Sequence, residues 1–281
     1  GMSLFDAVAH AMTTIATGGF STSDKSIGAY PDPAIHWIIT LGMIAGSLPF
    51  ALYMLAARGN PKPLLQDTQV RWFLCTLGVI IAGMAGGQLL FTEENFSTAL
   101  HLSAFNATSI MTGTGYATSE YDHWGSFAPA MFFVIMFIGG CAGSTTCGIK
   151  IFRFQILFAA AIVQLKQLVQ PRGVFIAYYN RRPISTDVVA SVMTFSLIYA
   201  AGFATLTIAL SFMGLDFLTS TSGAATAISN VGPGLGDIIG PAGTFVALPV
   251  GAKWALAVGM LFGRLEFFTI LVLFLPSFWR G

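Results

Sequence analysis

The sequence predicts an all-α integral membrane protein built from repeated units of transmembrane helix, pore half-helix, filter loop and transmembrane helix. Three observations carry that prediction. Of 281 residues, 55% are hydrophobic and only 9% charged, and the mean hydropathy is +0.75, far from the roughly 25% charged residues of a soluble domain. Several apolar stretches reach the roughly 20 residues that cross about 30 Å of hydrocarbon as a helix. Between them recur three related segments too short to span, each closing on glycines.

The spans come first. They are expected over Ala34–Ala57, Val70–Phe91, Phe127–Val169 with a glycine-rich interruption, Val188–Met213 and Phe245–Leu275. Residues 1–65 read as pore helix, filter and inner helix of a second repeat, 66–170 as a third repeat with a broken inner helix, and 171–281 as a fourth. The formal net charge is +1, and the basic residues are scattered in membrane-flanking loops without interleaved aromatics, which excludes a nucleic-acid partner. Cys75, Cys141 and Cys147 fall in or beside predicted spans and are expected as free thiols used as small packing residues. Gly1 to Gly18 lacks a basic start followed by a long apolar run, so no signal peptide is expected there, and the chain reads as beginning in mid-architecture.

Sidedness follows from the loops. Arg58, Lys62 and Arg71 lie between the first two spans, and Lys166, Arg172, Arg181 and Arg182 between the third and fourth. Basic loops are cytoplasmic. The opposite set carries Asp24, Asp32, Glu93, Glu94, Glu120, Asp122, Asp216 and Asp237 against Lys25 and Lys253, either an acidic vestibule that concentrates cations or acids left where bases are excluded.

The three short segments run Leu4 to Phe20, Ala99 to Tyr116 and Phe217 to Gly234. With Ile15, Ile110 and Ile228 in register, Thr13, Thr108 and Thr226 stand two residues before, and Thr17, Thr112 and Asn230 two residues after. A half-helix that enters the membrane and stops at glycines aims the negative end of its dipole at the bilayer interior, which attracts cations. Ser3, three residues before Asp6, gives the first copy a capping-box start. Beyond each half-helix the chain must climb back with an extended backbone, tolerated at that depth only where it lines water or is buried in protein. Glycine permits the positive φ that such a path needs, and rings of backbone carbonyls replace the hydration shell of a potassium ion. Glycines that merely let helices approach closely are the alternative, which three registered copies on one side disfavour.

At these segments the sequence resembles the Trk-type potassium uptake proteins, of the superfamily that includes the Ktr and HKT transporters. The carrying motifs are Ala16-Thr17-Gly18-Gly19-Phe20-Ser21, Met111-Thr112-Gly113-Thr114-Gly115-Tyr116-Ala117-Thr118, Gly139-Gly140-Cys141-Ala142-Gly143-Ser144-Thr145-Thr146-Cys147-Gly148-Ile149-Lys150 and Ser229-Asn230-Val231-Gly232-Pro233-Gly234-Leu235-Gly236. The resemblance implies potassium transport by the pore-forming subunit of an uptake system, with the ion selected by filter-loop carbonyls. Its filter residues would be Thr17, Gly18 and Gly19, then Thr112, Gly113, Thr114 and Gly115, then Asn230, Val231 and Gly232, each segment with a key glycine; between Gly113 and Gly115 the choice stays open. Three filter segments of an expected four make the chain resemble the C-terminal three quarters of such a protein. The resemblance also implies an intramembrane gate of Gly139, Gly140, Gly143, Ser144, Thr145 and Gly148 with Lys150 and Arg264. It further implies a homodimer in the lipid of a bacterial inner membrane, filter loops outward, regulated by a cytoplasmic nucleotide-binding subunit. No cofactor is implied, potassium being the transported ion, and the only metal is potassium at the filter.

Other signals add little chemistry. Gly140 to Thr146 lacks the Gly-Lys-Ser/Thr of a phosphate loop and follows no strand; its glycines instead weaken the third span by about 1 kcal/mol each relative to alanine. Lys150 and Arg153 sit just inside the glycine loop, where snorkelling to the cytoplasmic headgroups is the alternative to a functional role. His10, His36, His101 and His123 show no ligand spacing, and with no acid, base and nucleophile set an enzyme is not expected. Arg264 and Glu266 sit inside the fifth span, where ionisable groups are functional candidates, and being two apart on a helix each needs its own partner. A carrier using broken helices and a non-transporting scaffold are the competing classes; neither predicts three filter-like copies on one side.

Overall fold

The computed structural model describes residues 1–92, 94–265 and 267–279. Glu93, counted among the outer acids, and Glu266, placed beside Arg264, lie outside the described residues. The helices are α1 (Leu4–Ile15), α2 (Pro33–Gly46), α3 (Phe50–Ala57), α4 (Lys62–Gln66), α5 (Thr68–Phe91), α6 (Phe96–Met111), α7 (Phe127–Ile135), α8 (Ile151–Val169), α9 (Thr186–Phe212), α10 (Phe217–Ser229), α11 (Val250–Arg264), α12 (Phe267–Leu273) and α13 (Pro276–Trp279), with a hairpin of β1 (Tyr178–Tyr179) and β2 (Arg182–Pro183). The predicted half-helices are α1, α6 and α10. By length and composition α5, α8 and α9 can each cross a membrane, and they match the second span, the second half of the third and the fourth.

Helix starts are fixed by side chains. Ser3 accepts from the Asp6 amide, as the capping box requires, Asp67 from Gln69 and Val70, and Asp216 from Thr219, each satisfying a backbone donor that the first turn leaves open.

The first span is not the continuous helix expected over Ala34–Ala57. It bends by 97° between α2 and α3. Pro49 has no amide proton and disfavours a helical Leu48, and the glycine-rich segment docks into the gap: Cys141 donates to the Ser47 carbonyl and Phe50 to that of Gly143, both at 3.0 Å. The third span is interrupted as expected, α7 ending at Ile135 and α8 starting at Ile151. The ends of the interruption are zipped together, Gly139 donating to the Ile149 carbonyl at 2.9 Å and Ile149 to that of Phe137 at 3.1 Å. The fifth region is also not one helix: α11 begins only after Pro249 and stops at Arg264.

Phe73 and Met84 of α5, Ile110 and Met111 of α6 and Phe132 of α7 share one apolar core, while Leu210, Ala224, Ala227 and Leu256 join α9, α10 and α11 in another. Polar α10 is buried from Thr219 to Ser229. Its hydroxyls return to the backbone of their own helix, Thr221 to the Phe217 carbonyl and Ser222 to that of Leu218, both at 2.7 Å, so the buried groups are paired. Val79 and Leu90 on α5 and Leu197 on α9 face outward, as lipid-facing residues do.

Candidate functional site

All three half-helices end in the same hydrogen-bonded turn. In α1 the amides of Thr17 and Gly18 donate to Thr14 and Thr13; in α6 those of Gly113 and Thr114 donate to Ile110 and Ser109; in α10 those of Asn230 and Val231 donate to Ala227 and Thr226. This is the Schellman pattern, whose first residue past the helix adopts left-handed backbone. Thr17, Gly113 and Asn230 do so, at φ 48°, 68° and 54°.

The hydrogen bonds correct the register read from the isoleucines. Gly113 rather than Thr112 corresponds to Thr17 and Asn230, and Ser109 rather than Thr108 to Thr13 and Thr226. The helical turn of α6 runs one residue further, so its C-cap is Thr112, in right-handed helical conformation at φ −80°. Two residues on from each left-handed position stand Gly19, Gly115 and Gly232, which makes Gly115 the counterpart of the other two.

The three loops lie side by side. A Cβ on Gly19 would sit 1.7 Å from the Thr114 carbonyl oxygen, and one on Gly115 2.0 Å from that of Val231; at φ 66° and 83° neither backbone suits an L side chain. Tyr116 locks the first two loops together through its hydroxyl, which pairs with Thr13 Oγ1 and donates to the Phe20 carbonyl at 3.3 Å. Among the described residues no donor reaches the carbonyl oxygens of Thr17, Gly18, Gly113, Thr114, Asn230 or Val231. Bare carbonyls at membrane depth require water or ions as partners.

Against the loop that follows α1 lies the interruption of the third span. Thr145 is its apex: Oγ1 lies 3.0 Å from the Gly46 carbonyl and 3.1 Å from that of Ile15, and receives the Thr17 hydroxyl at 3.1 Å. Within the loop Ser144 donates to the Cys141 carbonyl and Gly140 to Thr146 Oγ1, while Gly143 and Gly148 turn it with φ 76° and 74°. Lys150 is the N-cap residue of α8. Arg264 reaches the loop from α11, its Nη1 3.3 Å from the Thr145 carbonyl and 2.8 Å from Cys147 Sγ. Gly263 makes that approach possible, since a Cβ there would lie 1.9 Å from the Ile228 carbonyl at the end of α10. Arg153, by contrast, does not snorkel. It is 8% exposed with its guanidinium 3.7 Å from the centroid of Phe195, a cation–π contact.

Some contributors were not singled out from sequence. Asp122, counted only as an outer acid, has a side chain 5% exposed and accepts from the Gly236 amide at 3.1 Å, tying the segment after the α6 loop to the one after the α10 loop; desolvation pushes its carboxyl above the ordinary carboxylate value. Beside it His123 faces Glu120, Asp122 and Asp237 at 3.4 to 3.7 Å. His36 and His101 stack, ring nitrogens 3.1 Å apart, which no spacing in the sequence signals because 65 residues separate them. Of the cysteines, all free thiols, only Cys141 is buried as the packing role requires; Cys75 is exposed.

Comparison with known proteins adds relatives to this geometry. The family described as TrkH, cation transport protein, matches residues 1–280. The chain is 48% identical over 281 residues to the Trk system potassium uptake protein TrkI of Halomonas elongata, covering 100% of this chain and 57% of that protein. It is 36% identical over 287 residues to the Trk system potassium uptake protein TrkH of Escherichia coli K12, covering 100% and 58%. The crystal structure of the potassium transporter TrkH from Vibrio parahaemolyticus superposes with a TM-score of 0.91 at 36% identity, over 100% of this chain and 60% of that one. The chain thus spans a little under three fifths of the curated relatives it matches.

Proposed function

The chain belongs to the TrkH family of cation transport proteins, and from that premise we propose that it forms most of the potassium path of a Trk-type uptake system. The observation that carries the reading is the set of three Schellman-ended half-helices followed by carbonyls, those of Thr17, Gly18, Gly113, Thr114, Asn230 and Val231, that receive no donor among the described residues. Helix C-termini favour cations, and carbonyls freed of hydrogen bonds can take over the coordination that water gives a potassium ion. In this reading Thr17-Gly18-Gly19, Gly113-Thr114-Gly115 and Asn230-Val231-Gly232 bear the filter. Potassium as the cargo rests on what the relatives are named for.

The loop from Gly139 to Gly148, pinned by Thr145 under Thr17 and touched by Arg264, is the gate in this reading. The guanidinium adds fixed positive charge beneath the filter, opposing cation passage, and holds the loop through the Thr145 carbonyl. In the same reading the filter faces outward, an orientation the basic loops support, in a bacterial inner membrane, and the protein works as a homodimer with a cytoplasmic nucleotide-binding subunit. A carrier would be supported by helix breaks around a midplane pocket; no specific observation here favours one.

The test is growth. The natural protein restores a potassium-uptake-deficient bacterium at low external potassium, and its Gly115→Ser variant, inserted at the same level, does not discriminate potassium from sodium. Failure of the natural protein to restore uptake, when properly inserted, removes the potassium assignment.

A further inference from the structure

The linker between α8 and α9 is largely free of helix yet rich in apolar residues. From Val174 to Tyr179 they alternate, with Val174, Ile176 and Tyr178 outward at 91%, 52% and 59% exposure and Phe175, Ala177 and Tyr179 half-buried. Irregular chain showing Val, Ile and Tyr to its surroundings belongs at the boundary between lipid and water. Phe175, Ile176 and Ala177, with Ala160 and Ala161 of α8 and Ala190 and Met193 of α9, line an apolar cleft of about 690 Å³. Ile184 also lines a second cleft, of about 580 Å³, that carries Asn180, Arg182 and Ser185.

The hairpin at this end is built to hold charge in place. Asn180 and Arg181 both take left-handed backbone, at φ 47° and 64°, the primed turn that ordinarily prefers glycine at its second position. An arginine there costs about 1 kcal/mol or more in conformational strain. The turn is nonetheless fixed, Asn180 Nδ2 donating to Asp67 Oδ2 at 3.3 Å and Ile184 to the Ala177 carbonyl at 2.9 Å. Arg181 and Arg182 remain exposed. Lys166, Arg172, Arg181 and Arg182 face a single acid, Asp187, over residues 166–187.

We propose that these two clefts, flanking Ile184, together bind one anionic phospholipid of the leaflet that meets the hairpin, an acyl chain lying against Ala160, Ala161 and Ala190 and the phosphate on Arg182 with Arg181 at the rim. A free anion would occupy only the arginine end. A protein docking on the hairpin would leave the apolar cleft uncovered. A phospholipid satisfies both ends at once, and each basic side chain near a membrane surface adds to the attraction for anionic headgroups.

Native mass spectrometry of the purified protein, released from micelles doped with dioleoylphosphatidylglycerol or dioleoylphosphatidylcholine, reads the bound lipid directly. The expected result is one retained phosphatidylglycerol per chain, preferred roughly tenfold over phosphatidylcholine, with the preference abolished in R181Q/R182Q and kept in R181K/R182K. Ala190→Phe, which fills the cleft and spares the hairpin charges, lowers retention of both lipids; the arginine series decides the matter even where that variant inserts poorly. Equal retention of the two lipids by the natural protein, or an unchanged preference in R181Q/R182Q, overturns the proposal. So does displacement of the lipid by glycerophosphoglycerol at equal concentration, the mark of a free-anion site. A soluble protein that co-purifies, excludes the lipid and is lost in R181Q/R182Q would make the hairpin a protein-docking element instead.

Discussion

Replacing Gly19 by alanine places a Cβ 1.7 Å from the Thr114 carbonyl oxygen and 2.8 Å from its carbon, on a backbone at φ +66°. For that contact to open to 3.0 Å, the oxygen has to retreat by about 1.3 Å. The left-handed backbone alone costs an L residue about 1–2 kcal/mol, and relief of either strain comes from moving a carbonyl assigned to ion coordination. With 1.4 kcal/mol equal to a factor of ten, discrimination between potassium and sodium is expected to fall about tenfold. Gly232→Ala separates the two contributions, because at φ +119° its Cβ meets nothing nearer than 3.7 Å; it carries the backbone strain without the collision and is expected to lose less. Gly59→Ala, at φ +89° with nothing within 4 Å and far from the filter in sequence, is expected to lose no selectivity. The assay is isotopic potassium uptake against graded external sodium, normalised to inserted protein. Unchanged discrimination in Gly19→Ala and Gly115→Ala at normal insertion would refute the interlocked-loop account of the filter.

Arg264→Ala removes the contacts to the Thr145 carbonyl and Cys147 and is expected to raise potassium flux per inserted molecule several-fold, about 1 kcal/mol of barrier; flat or reduced flux sinks the electrostatic gate. Asp122 has its carboxyl held above the ordinary 3.8 by burial, so the fold favours the protonated form: its stabilising contribution is present at acid pH and is lost as pH rises through the raised value. Melting followed against pH is expected to show that decline in the natural protein and not in Asp122→Asn, and parallel curves would exclude it. Arg153→Lys keeps the charge but not the planar stack on Phe195, and a loss of about 1 kcal/mol in stability is expected; a thermal midpoint equal to that of the natural protein would show the ring contact to be incidental.

Membrane character, the three half-helices and the glycine turns that follow them were legible in the sequence because each depends on local chemistry. Span length follows from bilayer thickness, and Ser3 with Asp6 announces a helix start within four residues. Glycines after a short apolar run mark where a left-handed turn is affordable. The interruption near Gly139–Gly148 was visible for the same reason, since four glycines weaken a helix wherever it packs. The isoleucine register failed because the side-chain pattern of α6 does not reveal where its last hydrogen bond falls; one additional residue in the turn moved the left-handed position from Thr112 to Gly113.

Sequence by itself therefore determined which stretches are long and apolar enough to span, which loops hold the bases and which short segments end on glycine, all consequences of side-chain polarity and backbone propensity over a few neighbours. Only the tertiary structure decided that the first span bends at Pro49, because the backbone groups opened by the bend are paired with a loop some 90 residues away. It likewise decided that Gly115 pairs with Gly19, that Thr145 sits under Thr17, and that Gly263 admits Arg264 to the loop. Those outcomes rest on contacts between distant elements, where a clash of one missing Cβ or a single carbonyl without a donor selects the arrangement, and no local pattern in the chain records which distant atom will be there.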